Sequence, residues 1–104
     1  MNMMKMMKQA ADMQKNMARV QEALAAQELE FQSGGSAVTV KITGDGNVKA
    51  VRIDPKVLES GDAEMLEDLV LAAVQGAQEL ARDTAASEMK KVTAGMGLPP
   101  GMGF

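Results

Sequence analysis

Met3, Met6, Ala10, Met13, Met17, Val20 and Leu24 recur at alternating spacings of three and four residues, an unbroken heptad seam. No Gly or Pro interrupts the stretch, and it is rich in Ala, Met, Lys, Gln and Glu, so a helix is predicted over about residues 2–27. Six of the seam residues are each worth about 1.5–3 kcal/mol when fully buried. Together they rival the stability of a small domain, so the seam demands a covering surface. The other side of this helix has a different character. At about 100° per residue, Lys5, Lys8, Lys15 and Arg19 fall within a sector about 80° wide, centred about 150° from the seam. Asp12 lies inside the sector and dilutes it.

Beyond the helix the apolar period shortens from about 3.6 to 2. Leu29 and Phe31 alternate with Glu28, Glu30 and Gln32, which reads as a half-buried strand, and Ser33-Gly34-Gly35-Ser36 as a flexible connection. Val38, Val40 and Ile42 alternate with Thr39, Lys41 and Thr43 in a second strand. Gly44-Asp45-Gly46-Asn47 makes a hairpin turn, and Val48 to Ile53 return, with Val51 and Ile53 on one face and Arg52 on the other. Asp54-Pro55 ends that strand, because proline cannot donate to a ladder and restricts the residue before it. A turn of helix fits residues 56–59. A second long helix opens with Asp62 as N-cap and carries Leu66, Val70, Ala73, Ala77 and Leu80 on one face. After Ala81 this pattern thins, and the distal half is expected to project from the core. The prediction is α+β: one α-β-β-β-α domain over residues 1–94, with a small antiparallel three-stranded sheet and two long helices. Residues 95–104, rich in Gly, Pro and Met, are predicted to be a flexible tail.

A chain of 104 residues with 46% hydrophobic content can bury a core, but two aromatics leave that core to aliphatic side chains. A chain this short gains from self-association. No Cys is present, which excludes thiolate chemistry and suits a reducing compartment. His is absent too, removing the usual general base and the commonest metal ligand. No apolar run approaches a membrane span, and Met1–Lys8 is a poor secretory signal, so a cytoplasmic location is expected.

The net charge of −3 hides a polarised distribution. Residues 1–27 carry four basic and two acidic groups, and residues 38–58 the same, each for +2. Residues 59–83 carry seven acids against Arg82 alone, for −6. The basic stripe reads either as a solvated helix face or as a phosphate-contacting array, which a symmetric dimer would double to eight groups. Met3, Met4, Met6 and Met7 resemble clustered thioether ligands for Cu(I), but core packing already accounts for the seam methionines and neither Cys nor His completes a set. A Met-rich basic helix could also lie on an anionic membrane. Neither glycine loop matches a phosphate cradle or a calcium loop. No pair of acids is placed by a catalytic motif. The expectation is a non-enzymatic protein with no catalytic residues, metal, cofactor or small-molecule substrate.

Met7-Lys8-Gln9-Ala10 with Met13-Gln14, Ser33-Gly34-Gly35, Val51-Arg52-Ile53-Asp54-Pro55, Glu64-Met65-Leu66-Glu67-Asp68-Leu69 and Leu98-Pro99-Pro100-Gly101 follow one another in an order and spacing that resembles the YbaB/EbfC family of bacterial nucleoid-associated proteins. The resemblance implies a homodimer whose paired long helices project like tweezer arms. It also implies binding of duplex DNA with little sequence preference, located at the nucleoid, in nucleoid organisation or gene regulation. Its DNA-binding residues carry over as basic positions on the first and last helices: Lys5, Lys8, Lys15, Arg19, Lys90 and Lys91. Residues 81–87 hold few basic groups, which shifts load to the first helix or to a second tier, Lys41, Lys49 and Arg52. The competing reading is a protein-interaction adaptor whose helical arms clasp another protein.

Overall fold

A computed structural model describes residues 2–95. Helix α1 spans Met3–Ala26 and starts where the Asn2 side chain accepts the Met4 N–H at 3.0 Å. It ends as the extended backbone of Gln27 leads into a sheet of β1 (Glu28–Ser33), β2 (Val38–Thr43) and β3 (Val48–Ile53). The strands are antiparallel in the order β1-β2-β3. The first turn uses Gly34 and Gly35 at φ 60° and 73°, a region open to glycine and costly for other residues. In the second, the Thr43 hydroxyl donates to the Asp45 carboxylate and accepts the Asn47 N–H at 3.1 Å. Helix α2 (Pro55–Leu58) has Asp54 as its cap, and α3 (Ala63–Gly95) has Asp62, whose carboxylate accepts the Met65 N–H at 3.0 Å.

The predicted bounds of the second and third strands coincide with β2 and β3, β1 takes in Ser33 from the expected connection, and the short helix starts one residue earlier than expected because Pro55 occupies its first turn. Gly95 belongs to α3 rather than to the tail, and residues 96–104 lie outside the described part of the chain.

Val38, Val40 and Ile42 of β2 and Ala73, Ala77 and Ala81 of α3 form the buried cluster. Alanine at three successive turns lets α3 approach the sheet closely, which suits a chain without aromatic filler. At Gly76 the Phe31 ring of β1 occupies the space a Cβ would take. The Ser33 hydroxyl donates to the Leu69 carbonyl at 2.6 Å and ties the end of β1 to the same helix.

α3 lies over β1 and β2, not over β3. On the helix-covered face, Val51 pairs with Val40 and Val48 with Ile42, yet both β3 valines stay almost half exposed. A register irregularity between Lys41 and Ile42 brings Val48 onto this face. Leu24 is the buried residue of α1, held where Gly44 meets the end of the helix, and the Gly44 N–H donates to the Gln27 carbonyl at 3.0 Å. Upstream of Leu24, α1 leaves the body beside distal α3, giving principal extents of 68 × 23 × 16 Å.

Candidate nucleic-acid interface

The heptad seam is covered only in part within one protomer. Leu24 is buried and Met13 and Val20 are half-buried, whereas Met3 is 75% exposed and Met6 48%. The reason is geometric: α1 runs past the sheet, and only distal α3, with Ala85, Met89 and Val92 half-buried, accompanies it. The arm therefore consists of two antiparallel helices with apolar surface left over.

Lys5, Lys8, Lys15 and Arg19 are all exposed on α1. Their sector is centred about 100° around the helix from the half-buried residues, with Lys5 nearest to them, so the stripe occupies one flank of the arm rather than the side that meets α3. Lys5 to Arg19 spans about 21 Å of helix, or about six steps of 3.4 Å along a duplex strand. On α3, Lys91 and Lys90 are both exposed, but successive residues point about 100° apart. Lys91 falls on the flank that Lys5 also occupies, and Lys90 on the side of α3 facing away from α1. The fold thus groups Lys91 with the α1 stripe and separates Lys90 from it. The Lys91 ammonium also donates to the Glu88 carboxylate at 3.1 Å. Such an exposed pair is worth less than about 1 kcal/mol and yields readily to a phosphate.

Lys41 and Arg52 lie on the sheet face opposite α3, where Lys41 is 4.0 Å from Glu30. With Glu28 and Glu30 on that face, its charge cancels. Lys49 is exposed on β3, next to the register irregularity. The second-tier residues are therefore dispersed rather than assembled into a strip.

Sequence reasoning passed over Arg82 as a site residue. The structure places it in a cleft of about 420 Å³ where α1, α3 and the β2–β3 turn meet, lined also by Gln21, Gln78 and Asp45. Among the described residues Arg82 makes no ion pair, although Glu79 stands one turn away. No sequence spacing signals this cleft, because it depends on how α1 crosses the turn. Among the described residues no group of three or more acidic, His or Cys side chains could hold a metal, and no helix is long and apolar enough to cross a membrane.

Comparison with known proteins agrees with this architecture. Residues 1–96 match the model of the YbaB/EbfC DNA-binding family. The chain is similar to a nucleoid-associated protein of Akkermansia muciniphila, 45% identical over 104 residues and covering 100% of each chain. It is also similar to nucleoid-associated proteins of Alkaliphilus metalliredigens (46% identity, 94% of this chain and 86% of the relative) and Gluconacetobacter diazotrophicus (44% identity, 99% and 96%). Among solved structures, an uncharacterized protein of Helicobacter pylori shares the fold at a TM-score of 0.74 and 21% identity, over 84% of this chain and 91% of that one.

Proposed function

The chain belongs to the YbaB/EbfC DNA-binding family, and on that premise we propose that it binds duplex DNA as a homodimer, mainly through the phosphate backbone and with little sequence preference, as a nucleoid-associated protein. The observation that carries the DNA surface is the stripe of Lys5, Lys8, Lys15 and Arg19, exposed along one flank of α1. Such a stripe supplies positive charge at intervals along a helix, which is what backbone contacts require. It contains no aromatic residue, so it is poorly suited to stacking on single strands. Lys91 shares its flank; Lys90 and the sheet residues Lys41, Lys49 and Arg52 contribute less.

Support for a dimer comes from the apolar surface a single protomer leaves open, namely the α1 seam at Met3 and Met6 and the β3 valines Val48 and Val51. A second copy covering these surfaces would place two stripes in one particle. The proposed role is nucleoid organisation or gene regulation, in the cytoplasm.

The test is a gel-shift titration of the full chain at several salt concentrations, with Lys5, Lys8, Lys15 and Arg19 changed together to Gln. Eight phosphate contacts per dimer correspond to a slope of log affinity against log salt near about −7, and four to about −3.6. The variant is expected to lose most of whatever slope the native chain shows. An unchanged affinity and slope would refute the stripe. The adaptor reading predicts instead that DNA binds no tighter than about 10⁻⁴–10⁻⁶ M at physiological salt.

A further inference from the structure

The two ends of this elongated protomer carry surfaces of opposite charge, each with exposed apolar groups. From Leu24 back to Met3, α1 runs about 31 Å, whereas α3 runs about 21 Å from Ala81 to Gly95. The first two turns of α1 therefore stand about 10 Å beyond the described end of α3. There Met4 is 77% exposed and Met7 68%, beside Lys5 and Lys8. At about 100° per residue Met4, Lys5 and Lys8 lie on the side of α1 away from the heptad seam and Met7 at the seam's edge, so a dimer that covers the seam leaves Met4, Lys5 and Lys8 free. The first turn of α1 holds no acid and adds the positive end of the helix dipole.

The far end of the 68 Å molecule is the start of α3. An apolar cleft of about 190 Å³ lies there between α2 and α3, lined by Val57, Leu58 and Leu66 among others. Leu58 is 58% exposed at its edge, and Met65 is exposed nearby. Asp62 lines the cleft, and on the adjoining face of α3 Asp62, Glu64 and Asp68 stand around the exposed Met65, none of the three in an ion pair among the described residues. This surface repels a phosphate backbone, so it has no place in DNA contact. It matches the α1 tip in both properties that govern recognition: apolar area to cover, and charge of opposite sign. Each pair also lies on one face of its helix, Lys5 and Lys8 three residues apart and Glu64 and Asp68 four apart.

We propose that the acidic-apolar end of α3 is a docking surface for the basic, methionine-bearing tip of α1 from a second copy of this chain. The contact is heterologous: the tip of one particle meets the α3 end of the next. A homodimer carries two ends of each kind, so every contact leaves others free and assembly propagates from particle to particle rather than closing. This is a separate surface from the one that forms the homodimer. It gives particles on one duplex a means to bind cooperatively without reading sequence. Lys5 and Lys8 also belong to the DNA stripe, so at each docked tip the duplex is left to Lys15, Arg19 and Lys91.

The experiment uses the full chain without DNA, measured by sedimentation velocity at about 50 mM and about 500 mM salt, where the Debye length shortens about threefold. Species heavier than the high-salt particle are expected at low salt. Lys5→Glu with Lys8→Glu, or Glu64→Lys with Asp68→Lys, should each raise the concentration needed for assembly about tenfold. An equimolar mixture of the two variants should restore it, because the reversed tip then meets the reversed end. Circular dichroism of both variants serves as the control and is expected to match the native helix content. Absence of heavier species at low salt, indifference to either variant, or failure of the mixture to restore assembly each overturns the proposal. All these readouts are independent of DNA binding, so they stand apart from the outcome of the salt titration.

Discussion

Gly76 offers the sharpest test of how the sheet and α3 fit together. Glycine inside a helix costs about 1 kcal/mol relative to alanine, so Gly76→Ala should stabilise α3 if nothing else changed. The structure places the Phe31 ring where the new Cβ would go, with three ring carbons in its way. The ring must swing toward solvent, where it is already 36% exposed, and gives up its packing on the helix. Displacing it forfeits part of the 1.5–3 kcal/mol that burying a Phe side chain supplies, and overpacking adds a cost of about 1–3 kcal/mol. The net expectation is destabilisation of about 1–2 kcal/mol. In a Phe31→Ala background the obstacle is gone, and Gly76→Ala should stabilise by up to about 1 kcal/mol. The sign therefore reverses, with a coupling of about 2–3 kcal/mol across the cycle, at the upper end for residues in contact. Urea denaturation followed by circular dichroism at a fixed protein concentration measures all four proteins. If Gly76→Ala destabilises equally in both backgrounds, the close approach of α3 to β1 is not what keeps glycine at this position.

Two further substitutions examine the local devices that position the helices. Gly44→Ala sets a Cβ 2.9 Å from the Leu24 carbonyl oxygen, a backbone atom that cannot rotate away. It should shift the end of α1 and lower the denaturation midpoint, whereas Gly35→Ala, with open space around it but a positive φ, tests strain alone. Asp62→Ala removes the acceptor of the Met65 N–H and should cost about 1 kcal/mol, with Asp62→Asn recovering most of it. An unchanged urea midpoint for Asp62→Ala would show that the cap is satisfied in another way.

Much of the fold was legible because local patterns and global packing agree. The shift from helical to strand period after residue 27, the Asp45-Gly46 turn, Pro55 and the Asp62 cap each specify an element through chemistry internal to a few residues. The candidate site was legible to a smaller degree. Helical phase alone sets Lys5, Lys8, Lys15 and Arg19 on one side of α1, and the structure leaves all four exposed. It could not tell Lys90 from Lys91, since that depends on which side of α3 meets α1. Neither could it find Arg82, whose surroundings come from three elements far apart in the chain.

The sequence by itself determined that the first helix has one side to bury and another to offer, because a side chain's angle around a helix follows from its number. Only the tertiary structure decided how much of the buried side a single protomer can cover. The answer turns on length: α1 outruns the sheet and the described part of α3, so Leu24 is sealed while Met3 and Met6 stay open. The same excess of length separates the basic tip from the acidic start of α3 by most of the molecule's long axis. Periodicity specifies directions around a helix, but which neighbour stands in each direction is set by contacts distant in sequence.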